Sequence, residues 1–282
     1  APDFFNSIRF QKIWGYEDWI ASTHSEGYQP ELKQIAQDYP LLVKIIQADD
    51  TLSVQVHPDD KIAQKLEGKD SCGKTECWYV LDAKKDASLV HGLKENLTEE
   101  QILNAINEND VEKILNRTKV KQGDFIFIPA GTVHAIGEGL RLLEVQQNCN
   151  ITYRLYDWGR GREVHIKKSF ESIKSDLNTT KRKDIVALDS FECEYFSLSK
   201  HKINGGYSFF TPNLSEKSSP IQLIFIEKGK GTIKAQKDSS SYQNNDNEVQ
   251  TFELGDEQIY AILPGEKITV EGIATVIRII PA

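Results

Sequence analysis

Apolar and polar residues alternate with a period of two along most of this chain, so strands are expected to dominate it. The clearest case is Leu52 to Val56, Leu-Ser-Val-Gln-Val, which puts Ser53, Gln55 and the following His57 on one face. Leu41 to Ala48 (L-L-V-K-I-I-Q-A) reads as a strongly apolar strand with Lys44 inside it. Gln11 to Trp14 reads as an edge strand, and Trp19 to Thr23, Glu76 to Leu81, Ala87 to His91, Leu140 to Gln147 and Thr152 to Tyr156 as further strands. Helical patterns are few. Glu31 to Asp38 forms one, stopped before Pro40. Pro58-Asp59-Asp60 opens another that runs to about Glu67. Thr98 to Gln101 is a capping box that starts Glu99 to Asn107, and Asp110 is expected to cap a second helix to about Asn116.

From Ile185 onward the pattern is all strand: Phe191 to Ser199, Gly206 to Phe210, Ile221 to Glu227, Gly231 to Ala235, Gln250 to Leu254, Gln258 to Ile262, Lys267 to Val270 and Ala274 to Ile280. Gly, Pro and polar turns separate them at spacings typical of a sandwich or barrel. Lys237 to Glu248 is a polar low-complexity run, expected to be a mobile loop. The expected organisation is mainly β. Residues 1–160 form a barrel with a small helical insert near 95–117, and 161–184 form a charged connector with a short helix near Lys168 to Ile173. Residues 185–282 form a second, smaller β-unit.

A length of 282 residues allows one large core or two smaller ones. The net charge of −8 argues against nucleic-acid and anionic-membrane binding, so an anionic substrate would need Lys and Arg gathered locally. No apolar run approaches the roughly 20 residues that cross a bilayer, and the first ten residues lack the basic start and apolar core of a signal peptide. Cys72, Cys77, Cys149 and Cys193 form no C-x-x-C pair and read as reduced thiols of a cytoplasmic protein. The chain has no methionine, which implies omitted residues and spacings before Gly123 shorter than the natural ones.

The candidate chemistry centres on Gly123 to His134, G-D-F-I-F-I-P-A-G-T-V-H. Two tight turns around a short apolar strand fix the direction of the His134 imidazole. This segment resembles the second half of the cupin barrel signature, in which the closing histidine is a metal ligand. Gln55 and His57 lie two apart on one strand, and Glu76 begins another. Antiparallel neighbours in a barrel could bring all four together as two imidazoles, one carboxylate and one amide oxygen. That set suits Zn²⁺ with a position left open for water or substrate, at a net charge of +1. A histidine at a strand end is more commonly a hydrogen-bonded structural group, and spacing alone leaves both readings open. His24, His91, His165 and His201 show no ligand spacing.

Four segments, one of them overlapping the stretch above, occur in order: S-V-Q-V-H-P-D-D (Ser53 to Asp60), G-K-T-E-C-W-Y-V (Gly73 to Val80), P-A-G-T-V-H-A-I-G (Pro129 to Gly137) and L-E-V-Q-Q-N-C-N-I-T-Y-R-L-Y-D (Leu143 to Asp157). Together they resemble the type I mannose-6-phosphate isomerases in the short form of Gram-positive bacteria, from about Arg9 to Arg160 and weakly beyond. The resemblance implies a cupin (jelly-roll) barrel and a zinc-dependent aldose–ketose isomerase working through an enediol. It places one Zn²⁺ on Gln55, His57, Glu76 and His134, and Lys74, Glu144 and Arg154 among the catalytic residues. Ser53 and Lys44 are the implied phosphate contacts. Lys74, next to a dication, is expected to have a lowered pKa. The segment between Trp19 to His24 and Leu41 is shorter than usual in that family, and the helical insert is smaller. The expected partner is a small sugar phosphate, with neither nucleic acid nor membrane, in a monomer or homodimer. A related-sugar isomerase, or a sugar-phosphate-binding barrel without turnover, is the alternative.

Overall fold

The computed structural model describes residues 3–4, 6–178, 185–211, 221–237 and 249–282. Residues 238–248 of the loop expected over Lys237 to Glu248, and residues 179–184 of the expected connector, lie outside the described residues. The elements run β1 (Asp3–Phe4), β2 (Ile8–Lys12), β3 (Gly15–Ala21), α1 (Pro30–Ile35), β4 (Leu41–Ala48), β5 (Val54–Val56), α2 (Asp60–Glu67), β6 (Glu76–Ala83) and β7 (Ser88–Leu93). They continue with α3 (Glu99–Asn107), β8 (Leu115–Lys119), β9 (Asp124–Ile128), β10 (His134–Ile136), β11 (Leu140–Gln147), β12 (Tyr153–Tyr156) and α4 (Ile166–Ser172). The last part is all strand: β13 (Ile185–Ala187), β14 (Ser190–Glu192), β15 (Phe196–Phe210), β16 (Gln222–Lys237), β17 (Val249–Glu253), β18 (Ile259–Ile262) and β19 (Glu266–Pro281). No described helix is long and apolar enough to cross a membrane.

The chain divides into two compact units. One comprises residues 9–19 and 42–187 and carries every candidate site residue. Its strands form a sheet ordered β12-β5-β10-β7-β8 and a sheet ordered β13-β9-β6-β11-β4-β3-β2. Alternation decides what each face meets. Leu89 and Ile136 of the smaller sheet join Trp78, Ile126 and Leu142 of the larger one in a single buried cluster. Val54, Val90 and Ala135, one residue out of phase, face the other way and pack with Ile102, Val111, Ile166 and Phe170 of the helical segments. A strand's period of two therefore commits Gln55 and His134 to the interior face.

The other unit comprises the described residues of 1–8, 20–41 and 188–282. Its sheet is ordered β1-β18-β16-β19-β15-β14, with β17 on β16, around a core that includes Ile224, Ile226, Ile233, Tyr260, Val270 and Val276. Here β16 and β19 each run through glycines where the sequence pattern predicts turns. Gly231 (φ +146°) and Gly272 (φ +129°) oppose each other in register. A Cβ on Gly231 would lie 1.9 Å from the Glu271 carbonyl oxygen, so glycine serves close strand approach rather than chain reversal.

Two further expectations are corrected. The helix expected from Asp110 is one 3₁₀ turn, Val111–Lys113, and Asp110 makes no side-chain cap. The chain then enters β8, which pairs with β7 and buries Leu115. At the start, the strand is Ile8–Lys12 rather than 11–14, and Trp14 is instead a buried core residue.

Candidate metal centre and substrate cleft

Three segments deliver the metal-binding candidates. His57 follows β5, directly after Val56. Glu76 opens β6, and His134 opens β10. His134 lies opposite Gln55 in the β5–β10 register, and Gln55 also lies opposite Arg154 of β12. The turn before His134 is anchored on both sides. The Gly131 N–H donates to the His57 carbonyl at 2.8 Å, and Asn178 accepts from the Val133 N–H at 2.7 Å while donating to the Gly131 carbonyl at 2.8 Å. Gly131 adopts φ +95°, and a Cβ there would meet Lys174 Cγ at 2.7 Å, so the turn needs glycine on two counts.

His57, Glu76 and His134 place one ligand atom each within 4.8 Å of one another, all buried, and so could hold a metal ion. The protonation pattern favours this. His57 Nδ1 donates to the Ile151 carbonyl at 3.0 Å and His134 Nδ1 to the Thr132 carbonyl at 2.8 Å. A carbonyl only accepts, so both neutral rings carry the proton on Nδ1 and present a lone pair at Nε2. Those lone pairs face the Glu76 carboxylate, at 3.5 Å from Oε2 for His57 and 3.4 Å from Oε1 for His134. All four atoms are buried; the two Nε2 atoms and Glu76 Oε1 have no hydrogen-bond partner, and Oε2 has only the ion pair with Lys74. Acceptors facing acceptors in a dry site are costly unless a cation lies between them. Burial, aided by the Lys74 charge, pushes the His57 imidazole down to about 3, and burial lowers that of His134 as well, so both stay neutral as ligands must.

Beside the centre lies a cleft of about 210 Å³ whose lining includes Ser53, Gln55, Lys74, Glu144, Arg154 and Arg162. Its floor is a network of buried charges. Lys74 Nζ is 3.3 Å from Glu76 Oε2 and 3.8 Å from Glu144 Oε1. Lys44 Nζ is 3.4 Å from Glu17 Oε2 and 3.8 Å from the same Glu144 oxygen. Burial opposes the Lys74 ammonium, but Glu76, Glu144 and Glu17 outweigh it and raise its pKa. Among the protein's own groups, the expected lowering is therefore reversed. Burial favours the neutral Glu76 acid, yet the Lys74 charge overcomes it and keeps the carboxylate ionised. For Glu144 burial wins, reinforced by the Glu76 charge, and its carboxyl is pushed up to about 7. Its Oε2 accepts from Trp78 Nε1 at 2.9 Å, while Oε1 has no hydrogen-bond partner.

The sequence-derived residues thus separate into groups. Gln55, Lys74, Glu144, Arg154 and Ser53 line the cleft, and Ser53 Oγ lies 3.5 Å from Gln55 Oε1. Lys44 is set apart from the cleft. Its side chain is 1% exposed, and it is absent from the cleft lining. Glu17, Lys12 and Arg162 line the cleft and escape the sequence reading. For Glu17 a signal exists: it alternates with Trp19, whose indole N–H it accepts at 2.9 Å. Burial opposes its ionisation, but Lys44 and the indole hydrogen bond hold it down at about 2. Arg162 carries no periodic signal. Its orientation comes from a bidentate pair with Asp157, at 2.9 and 2.7 Å.

Residues 8–73 match the model of the phosphomannose isomerase type I catalytic domain. The mannose-6-phosphate isomerase ManA of Bacillus subtilis (strain 168) is 37% identical over 255 residues, covering 86% of this chain and 78% of its own. The mannose-6-phosphate isomerase of Streptococcus mutans is 35% identical, covering 69% of this chain and 63% of its own. The crystal structure of the Bacillus subtilis mannose 6-phosphate isomerase superimposes with a TM-score of 0.79 at 26% identity, covering 99% of both chains. The mainly β architecture is thus the cupin-type fold that the family resemblance implied. With the identity, the coverage and the superposition in agreement, the chain belongs to the type I phosphomannose isomerase, or mannose-6-phosphate isomerase, family.

Proposed function

We propose that this protein interconverts mannose 6-phosphate and fructose 6-phosphate, with one Zn²⁺ held by His57, Glu76, His134 and the Gln55 amide oxygen. The observation that carries the reading is the convergence of the buried His57, Glu76 and His134, whose two Nε2 atoms and Glu76 Oε1 have no hydrogen-bond partner, next to a cleft that presents Lys74 and Glu144. Nitrogen and oxygen donors without thiolate suit zinc in a catalytic role. When bound, the ion supplies Lewis acidity that polarises and orients substrate oxygens.

The chain's own residues then carry the proton chemistry. Aldose–ketose isomerisation moves a proton between C2 and C1 through an enediol and needs a base whose pKa is near the working pH. Glu144 meets that requirement, because burial raises its carboxyl above the ordinary carboxylate range and Oε1 has no hydrogen-bond partner. Glu144 is assigned to ring opening or the C2–C1 proton transfer. Lys74 remains an ammonium and donates a hydrogen bond to a sugar oxygen. Arg154 and Arg162 sit at the cleft with a permanent positive charge, and with Ser53 they form a site for the phosphate dianion. This moves the phosphate contact from Lys44 to the arginines. Lys44 becomes the counter-charge that holds Glu17 and Glu144 in place.

The test is a coupled assay of fructose 6-phosphate formation from mannose 6-phosphate with metal-loaded and chelator-treated protein. The expected result is turnover that chelation abolishes and zinc restores. Binding of the sugar phosphate with no turnover in the metal-loaded protein would overturn the proposal in favour of a binding barrel.

A further inference from the structure

Two cysteines on separate loops meet beside the candidate centre. Cys72 lies between α2 and β6 and is half-buried; Cys149 follows β11 and is buried. Cys149 Sγ donates to the Cys72 carbonyl at 2.7 Å, and Cys72 Sγ donates to the Asn148 carbonyl at 3.5 Å. When Cys149 is a thiolate, the single Cys72 S–H can turn from the Asn148 carbonyl to the Cys149 sulfur. We propose that Cys72 and Cys149 form a dithiol site that hydrogen peroxide oxidises reversibly to a disulfide, cross-linking the two loops.

The environment divides the roles. The hydrogen bond from Cys72 and the Lys74 charge act against burial and bring the Cys149 thiol down to about 7. The same thiol–thiol contact, with burial, pushes the Cys72 thiol up. Cys149 is therefore the attacking thiolate and Cys72 the resolving thiol. The Cys149 thiolate attacks one peroxide oxygen and the O–O bond breaks. The released hydroxide takes a proton and leaves as water, so Cys149 becomes a sulfenic acid. The Cys72 sulfur then displaces the sulfenic hydroxyl. The S–S bond forms, the Cys72 proton leaves with that hydroxyl as a second water, and two electrons have passed from the thiols to peroxide. Each sulfur already lies within hydrogen-bond distance of the other cysteine's loop, at 2.7 and 3.5 Å, so the two approach one another in the folded chain.

The position gives the cross-link consequence. Cys72 precedes Lys74 by two residues, and Cys149 precedes Ile151, whose carbonyl orients His57, by two. Cys77 is buried. Burial, the largest effect on it, raises the Cys193 thiol. Neither matches the Cys149 environment.

The proposal is tested on reduced, metal-loaded full-length protein treated with hydrogen peroxide, alkylated and digested without reductant. Mass spectrometry should find the Cys72 and Cys149 peptides joined, two hydrogens lighter than their sum, and separated again by dithiothreitol. In Cys72→Ser, dimedone should label Cys149; in Cys149→Ser, the cross-link should vanish and Cys72 should stay unlabelled. Far-UV circular dichroism checks that each variant is folded, and the wild-type mapping stands without them. Oxidation at Cys77 or Cys193 with no 72–149 peptide would overturn the proposal, as would dimedone labelling of Cys72 in place of Cys149. Neither readout depends on isomerase activity.

Discussion

Replacing Glu144 with glutamine removes one buried ionisation while keeping the side chain's shape. In the metal-free protein its carboxyl is raised from 4.5 to about 7, chiefly by burial and then by the Glu76 charge. At about 1.4 kcal/mol per pH unit, ionised Glu144 destabilises the fold by about 3 kcal/mol relative to the protonated acid. The sign follows from linkage. A group whose folded pKa is raised contributes its stability fully below 4.5, and that stability is lost as pH rises through about 7. Between pH 5 and pH 8 the wild type should lose roughly 2 to 3 kcal/mol from this group alone, and Glu144→Gln should lose none of it. Urea unfolding of both metal-stripped proteins at the two pH values measures the difference, and other titrating groups cancel between them. The expected result is a glutamine variant more stable relative to wild type by about 2 kcal/mol or more at pH 8 than at pH 5. A relative stability constant to within about 0.5 kcal/mol across that range would refute the argument that burial dominates this carboxyl. In the metal-loaded enzyme the same substitution should lower kcat by about 10²- to 10⁴-fold and leave KM within a few-fold, as loss of an acid–base group does.

Other substitutions separate the remaining roles. His134→Ala should abolish both zinc content, read by atomic absorption, and turnover; zinc at the wild-type level would remove His134 from the ligand set. Lys44→Ala strips Glu17 and Glu144 of a buried counter-charge, so it should move the kcat–pH profile upward and lower stability by about 3 kcal/mol. An unchanged profile with a raised KM would return Lys44 to the phosphate. Arg154→Ala should raise KM for the phosphorylated sugar about 10- to 100-fold, as loss of a charge-assisted hydrogen bond does. An equal effect on the unphosphorylated sugar would contradict the assignment.

Much of the site was legible because strand periodicity converts spacing into direction. Ser53, Gln55 and His57 alternate with apolar neighbours, so their common face could be read before any coordinates. Turn chemistry likewise marked Gly131, where only glycine fits. The charge network was harder to see, because it depends on cross-strand neighbours distant in sequence. Glu17, Lys44 and Glu144 are brought together by β3, β4 and β11 lying side by side, and only that order shows the Lys44 charge to be engaged by two carboxylates. Glycine misled in the second unit. Gly231 and Gly272 read locally as turns, but tertiary packing uses them to let strands approach. Asp110 misled similarly, since a capping residue does not hold a helix when the next apolar residues gain more by pairing as β8.

X-ray absorption at the zinc edge of the loaded protein, with an anomalous map from its crystals, tests the central claim most directly. The account predicts one ion between His57, Glu76 and His134, with two imidazole nitrogens and otherwise oxygen in its shell and no sulfur. An ion bound elsewhere, or sulfur ligation through Cys72 and Cys149, would contradict it.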